Sequence, residues 1–265
     1  MNPKLFDLTG RIALITGGAG LLGPEHAKAL SGSGATIILA DVAYEKCKAI
    51  ALELSNDGLN CFPEMLDVTK PESWQNLSQR LIKRFGRIDI LINNAGFTNQ
   101  NKTENFGAAF EDFPLSDWNS IMEVNLTGTF LGCRIIGKQM LESGKGVIIN
   151  MASLYGIVSP NHRIYEGTSI SQPVAYSVSK HGVVGLTKYV ATLWAKRGVR
   201  VNSITPGGIF NGHDGTFLEN FQRLNPIGRM SNKSDLHGAV LYLASDASSH
   251  VIGHNLVVDG GWTVW

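Results

Sequence analysis

Only three cysteines, Cys47, Cys61 and Cys133, occur in the 265 residues. An odd number at wide spacing fits neither a disulfide framework nor paired zinc ligands, and points to a reducing compartment. No uninterrupted apolar stretch reaches the roughly eighteen residues that a membrane helix needs. The opening Met1-Asn2-Pro3-Lys4-Leu5-Phe6-Asp7 holds no apolar segment of signal-peptide length. The chain is therefore expected to be made and kept in the cytoplasm, with no membrane partner. Excess charge is also missing: 23 basic residues meet 22 acidic ones, so no global field draws the chain to nucleic acid. His162, His181, His213 and His237 are scattered without ligand spacing, and no catalytic metal is expected. Internal repeats, low-complexity tracts and Pro/Gly-rich linkers are lacking too, which leaves one domain over 1–265.

What is present is an alternation of short β-branched runs with longer segments of helical period. Strands are read near 11–16, 36–40, 60–65, 88–93, 146–151, 199–204 and 255–259. Helices are read near 23–33, 44–56, 71–85, 115–142, 174–196 and 232–244, with Ser116 and Asp235 among the caps. Such alternation predicts an α/β, single-domain, Rossmann-like doubly wound fold, in which a seven-stranded parallel sheet carries helices on both faces. Two connections, 97–114 and 154–173, are longer than the usual strand–helix loops and follow strands at their C-terminal ends, where such sheets bind ligands. A small lid is read near 208–228.

The first strand runs into Thr16-Gly17-Gly18-Ala19-Gly20-Leu21-Leu22-Gly23 and then Pro24, a residue suited to the first turn of a helix. Glycines let a backbone bend and approach a pyrophosphate, which free N–H groups and the helix dipole then hold. Alone, such a turn is weak evidence. The second strand, however, ends in Leu39-Ala40-Asp41, where a dinucleotide site places an acid on the ribose hydroxyls. A carboxylate there repels a 2′-phosphate, and Gly17–Gly23 holds no Lys or Arg to reverse the preference. NAD(H) is therefore expected over NADP(H).

Further motifs join this turn. They are Asp67-Val68 after the third strand, Asn93-Asn94-Ala95-Gly96 after the fourth, and Asn125 in Glu123-Val124-Asn125-Leu126-Thr127-Gly128. Ser153 follows in Asn150-Met151-Ala152-Ser153, then Tyr176-Ser177-Val178-Ser179-Lys180, Pro206-Gly207 and Val258-Asp259-Gly260-Gly261. With them the chain resembles the short-chain dehydrogenase/reductase family from about residue 8 to about residue 262. The resemblance implies catalytic roles for Asn125, Ser153, Tyr176 and Lys180. It implies cofactor contacts at Gly17, Gly20, Leu21, Leu22, Gly23, Asp41, Asp67, Val68, Asn94, Ala95, Gly96, Tyr176, Lys180, Pro206, Gly207, Ile209 and Asn211. It also implies a homotetramer or dimer paired through the seventh strand, Leu256–Asp259, and the preceding helix, Ser234–Ala244.

The chemistry calls for these residue types. An alcohol loses its hydroxyl proton as hydride leaves, and a free tyrosine with a pKa of about 10 is a poor base at neutral pH. Tyr176 and Lys180 stand one helical turn apart, so an ammonium there favours the phenolate. A shift of about three units corresponds to roughly 4 kcal/mol. Ser153 would hydrogen-bond the reacting oxygen. By resemblance, Asn125 interrupts its helix and holds a water that links Lys180 to solvent. Tyr165 is a competing tyrosine after Ser153, but Ser169 rather than lysine stands one turn beyond it. The excess length before Tyr176 is read as an insertion.

Two departures stand out. Leu21 occupies the place of the family's usual middle glycine, and the Gly17, Gly20, Gly23 spacing is similar to that of sugar-nucleotide epimerases, whose longer substrate domain has no counterpart here. Asn211 stands where many relatives place a threonine near the carboxamide, and its amide can donate and accept likewise. An epimerase and a non-catalytic dinucleotide sensor or scaffold remain as rival functions.

The substrate is expected to be polar and hydroxyl-rich, because both long connections carry many hydrogen-bonding groups. The first has Thr98, Asn99, Gln100, Asn101, Lys102, Thr103, Glu104 and Asn105; the second has Asn161, His162, Arg163, Tyr165, Glu166, Thr168 and Ser169. The run from Tyr155-Gly156-Ile157 through Tyr165-Glu166-Gly167-Thr168 also resembles a flagellin-modification and nonulosonic-acid oxidoreductase subgroup. On that likeness Arg163 or Lys102 would face an anionic group of the substrate, beside Ser153 and Tyr176.

Overall fold

Alternate residues along the inner strands feed two separate cores, as the period-two geometry of a buried parallel sheet requires. The computed structural model describes residues 3–97, 108–168 and 170–265. Its strands are β1 (Ile12–Thr16), β2 (Thr36–Asp41), β3 (Cys61–Met65), β4 (Ile90–Asn93), β5 (Gly146–Met151), β6 (Val199–Pro206) and β7 (Asn255–Val258). They form one seven-stranded parallel sheet in the order β3-β2-β1-β4-β5-β6-β7. The helices are α1 (Gly23–Ser31), α2 (Tyr44–Asn56), α3 (Pro71–Phe85), α4 (Leu115–Met122), α5 (Gly128–Ser143), α6 (Val174–Trp194), α7 (Gly215–Leu224) and α8 (His237–Ala244). On one face Ala13, Ile15, Ile37, Leu39 and Ile149 pack against Leu30 of α1, Leu54 of α2 and Val240 of α8. On the other, Leu14, Ile38, Leu91, Ile148 and Val201 meet Trp74 of α3, Met140 of α5 and Val190 of α6.

The strands and most helices fall where the sequence predicts them, with four corrections. The segment read as one helix over 115–142 is two, separated by a π-helical stretch at Glu123–Thr127. Ser116 is not a cap: α4 begins one residue earlier, after Pro114, whose extended backbone starts the helix without a side-chain bond. Asp235 is not the N-cap of its helix but the third residue of a capping box, in which Asn232 holds the cap position of the 3₁₀ turn Lys233–Leu236. The sequence reading missed α7, which Asp214 caps by accepting from the Phe217 N–H at 2.8 Å.

Strand order reverses between β1 and β4, which opens a crevice at their carboxyl ends. Among the described residues no helix is long and apolar enough to cross a membrane. The three cysteines are buried free thiols whose pKa burial pushes up to about 12, so they are unreactive at neutral pH.

Candidate active site

Two features shape the turn between β1 and α1. Gly17 adopts a φ of +64°, and a Cβ there would stand 2.8 Å from the Ala95 Cα. A Cβ on Gly23 would lie 2.6 Å from the Gly17 carbonyl oxygen, so only glycine lets α1 start against the turn. No non-glycine residue has positive φ among the described residues, so Leu21 needs no left-handed backbone. It lines a surface groove with Ala19, Gly20, Pro24, Asn211 and Lys233, while Leu22 packs onto the core. No side chain caps α1 and Pro24 sits in its first turn, which leaves first-turn N–H groups for an anion.

The crevice is held from the β4 side. The Asn94 amide donates to the Thr16 and Gly17 carbonyl oxygens at 2.9 and 3.1 Å, and the Asn94 and Ala95 N–H groups both donate to the Thr16 hydroxyl at 3.0 Å. Asp41 accepts from the Ala19 and Ala43 N–H groups, each at 2.9 Å, which ties the end of β2 to the glycine turn. Val42, next to it, is exposed. Asp67 accepts from the Thr69 N–H and hydroxyl, and buried Val68 packs beside Gly128. Ile209 pairs with Ser231 beyond Pro206-Gly207, and Asn211 is exposed with its N–H donating to His213. Uncapped N–H groups, a glycine cradle and a carboxylate at the end of β2 together fit a dinucleotide.

Lys180 and Tyr176 share one face of α6. The Lys180 Nζ is 5.7 Å from the Tyr176 ring centroid and donates to the Met151 carbonyl at 2.8 Å. Burial pulls its pKa down from 10.5 to about 8. Burial also raises the Tyr176 phenol above its ordinary value of 10, with the Ser153 hydroxyl pulling the other way. Ser153, at the end of β5, accepts from the Tyr155 N–H at 3.3 Å.

Asn125 lies fully buried in the π-helical stretch, where the interruption frees its side chain to reach two other segments. Its Oδ1 accepts from the Phe97 N–H at 2.6 Å, and its Nδ2 donates to the Ser179 hydroxyl at 3.1 Å. Ser179 in turn donates to the Tyr176 carbonyl at 2.7 Å. The position a Cβ on Gly96 would take is 3.7 Å from Asn125 Oδ1 and 3.9 Å from Lys180 Nζ, so Gly96 sits at the junction of the two motifs. Sequence reasoning missed Ser179, although it stands inside the tyrosine–lysine motif. It also missed a buried ladder in which Asn93 donates to Asn150 at 2.8 Å and Asn150 to Thr187 at 3.0 Å. Polar residues inside strand and helix periods were the available signal.

Comparison with known proteins agrees with this geometry. Residues 19–263 match the family model described as enoyl-(acyl carrier protein) reductase. D-threitol dehydrogenase of Mycolicibacterium smegmatis is 39% identical over 98% of this chain and 95% of its own. The chain belongs to the short-chain dehydrogenase/reductase family. A 3-alpha-(or 20-beta)-hydroxysteroid dehydrogenase of Mycobacterium tuberculosis is 36% identical over 96% of this chain and 90% of its own. A crystal structure of gluconate 5-dehydrogenase from Burkholderia cenocepacia, in complex with NADP and tartrate, superposes with a TM-score of 0.89 at 30% identity, covering 100% of both chains. This short-chain dehydrogenase is an oxidoreductase of CH–OH groups that works with a nicotinamide cofactor.

The dehydrogenase walls the space beside Tyr176 with its second connection and α7. Leu154, Tyr155, Ile164, Phe217, Phe221 and Trp262 form a cluster on which Tyr165 and Tyr176 pack. Phe221 stacks on Trp262 at 4.6 Å between ring centroids. Arg163 lies on the exposed side of this connection, its Nε donating to Asn161 Oδ1 at 3.3 Å, while Ile164 faces inward. Ser169 and Thr98 to Asn105, Lys102 included, lie outside the described residues.

Proposed function

We propose that this dehydrogenase uses NAD(H) to interconvert a secondary alcohol and a ketone on a polyol or sugar-derived substrate, with Tyr176 as the acid/base. The carrying observation is the convergence of buried Ser153 and Lys180 on half-buried Tyr176, tied through Ser179 to Asn125. Tyr176 gives a proton to the carbonyl oxygen in reduction and takes one in oxidation. Ser153 orients that oxygen and donates to it as negative charge develops. Lys180 holds its proton beside the phenol, and Asn125 keeps the surrounding backbone in place and, by family likeness, a water leading to solvent. The nicotinamide, when bound, supplies the hydride acceptor or donor. Gly17, Gly20, Leu21, Leu22 and Gly23 would hold the pyrophosphate, and Asp41, Asp67, Val68, Asn94, Ala95 and Gly96 the adenosine half. Pro206, Gly207, Ile209 and Asn211 would lie by the nicotinamide, and 208–228 would serve as the lid.

NAD(H) is favoured over NADP(H) by the Asp41 carboxylate, with apolar Val42 rather than a cation following it. The substrate class is supported by the likeness to D-threitol dehydrogenase. A neutral polyol would not call on Arg163; an anionic sugar, as in the flagellin-modification and nonulosonic-acid likeness, would. The aromatic wall of Phe217, Phe221 and Trp262, together with the hydroxysteroid relative, favours a second reading in which the substrate is an apolar ring alcohol. β7 lies at the edge of the sheet and α8 packs on the neighbouring β5 and β6, which supports pairing with a second copy there, and three free thiols suit the cytoplasm. D-threitol, glycerol, gluconate and a 3α-hydroxysteroid, each with NAD and with NADP, decide the substrate through absorbance of the reduced cofactor. Turnover of the steroid alone refutes the polyol reading, and turnover without release of reduced cofactor favours the epimerase rival.

A further inference from the structure

Two tyrosines that take no part in the proton transfer lie against the residues that do. Tyr155 belongs to the 3₁₀ turn that Ser153 caps, and its N–H donates to the Ser153 hydroxyl. Tyr165 ends the turn His162–Tyr165 in the same long connection. Their hydroxyl oxygens stand 2.7 Å apart, although the residues are separated by a loop. Both rings pack in the cluster that holds Tyr176 and Phe217, and Tyr165 lies over Phe217 with ring centroids 5.9 Å apart. Burial raises both phenols, Tyr155 to about 12, and negative charge on Tyr176 would raise each further, so both stay protonated throughout turnover.

Each phenol has one hydrogen to give and can also accept. Within the pair one hydroxyl donates to the other, so a single O–H is left over. Among the described residues neither oxygen has a second hydrogen-bond partner. The apolar side chains of Leu154, Ile164 and Phe217 around them offer no acceptor. A donor held in apolar surroundings beside the site is unfavourable unless an incoming oxygen receives it.

We propose that the Tyr155–Tyr165 hydroxyl pair donates to a second hydroxyl of the substrate, next to the carbon that reacts, and so selects vicinal diols over simple secondary alcohols. The inference rests on the polyol reading and deepens it. Because Tyr155 also anchors Ser153 through its backbone, the second hydroxyl is recognised from the same turn that orients the first. The insertion before Tyr176 is what brings in Tyr165.

The test compares kcat/KM for 2,3-butanediol and 2-butanol in the parent enzyme, in Tyr165→Phe and in the double variant Tyr155→Phe/Tyr165→Phe. The parent should favour the diol about tenfold or more, the discrimination one well-made hydrogen bond supplies. The double variant should lose roughly that factor on the diol alone. Tyr165→Phe should lose less, since the remaining phenol can still donate. The mono-alcohol rate in the same preparations reports an intact site. Equal losses on both alcohols, in the single as in the double variant, would show a merely structural role and overturn the inference. A diol preference that survives in the double variant overturns the inference alone, and a parent with no diol preference overturns the polyol reading with it.

Discussion

Acid should weaken this protein through His26. The residue lies in α1 directly behind the glycine turn with 0% exposure, and neither ring nitrogen has a hydrogen-bond partner among the described residues. Burial drives its pKa from 6.5 down to about 4, with the nearby Asn94 side chain opposing slightly. The folded chain therefore keeps the ring neutral where the unfolded chain protonates it. Between about pH 6.5 and 4 the unfolded state binds the extra proton, so stability falls as pH falls through that window and is fully present above it. At pH 5 the penalty is about 2 kcal/mol, from 1.36 kcal/mol per unit below the unfolded value. Urea unfolding at pH 7 and pH 5 measures it, with His26→Leu as the reference. That variant keeps the neighbouring Glu25–His237 contact at 2.9 Å, so the difference isolates His26. The parent should lose about 2 kcal/mol more than the variant on going to pH 5. Equal losses would refute the reasoning.

Tyr176→Phe should lower kcat about 10²- to 10⁴-fold with cofactor affinity kept, since it removes the proton and leaves the ring; kinetics with cofactor titration check both. Asp41→Ala should raise kcat/KM with NADP relative to NAD, and a parent that already prefers NADP would overturn the reading of Asp41. Ser179→Ala should leave the Asn125 amide short of its acceptor, lowering stability by about 1–3 kcal/mol and also kcat, whereas Ser179→Thr should restore both.

The sheet was legible because its signal is strong: β-branched runs such as Ile12-Ala13-Leu14-Ile15 alternate with amphipathic segments, and the chain has no other way to bury them. The residues proposed for the proton transfer could be picked out because their types and order repeat a known pattern. What escaped was cooperative. Nothing in the sequence says that the Ser179 hydroxyl turns to Asn125, since the pair meets only after two helices have packed. Helix α7 escaped for a different reason. Asp214 as cap, then Phe217, Leu218, Phe221 and Leu224, is a readable helical period, but neighbouring Gly212 and Gly215 gave the stretch the look of a loop.

Tyr165 shows how a residue set aside for one role can still be proposed for another in the same site. Serine rather than lysine one turn later argues against it as the acid/base, because a phenol packed among apolar side chains and raised by burial holds its proton tightly. The same burial makes it a dependable donor. An insertion within α6 would separate the proposed acid/base from its lysine, but one placed before α6 leaves Tyr176 and Lys180 on their shared helical face and only thickens the wall of the site. Specificity can then change through the added turn while the proton-transfer geometry stays fixed. Swapping this connection between relatives should therefore move substrate preference without moving the pH dependence of kcat, and a shift in that pH dependence would show that the loop and the acid/base are not separable.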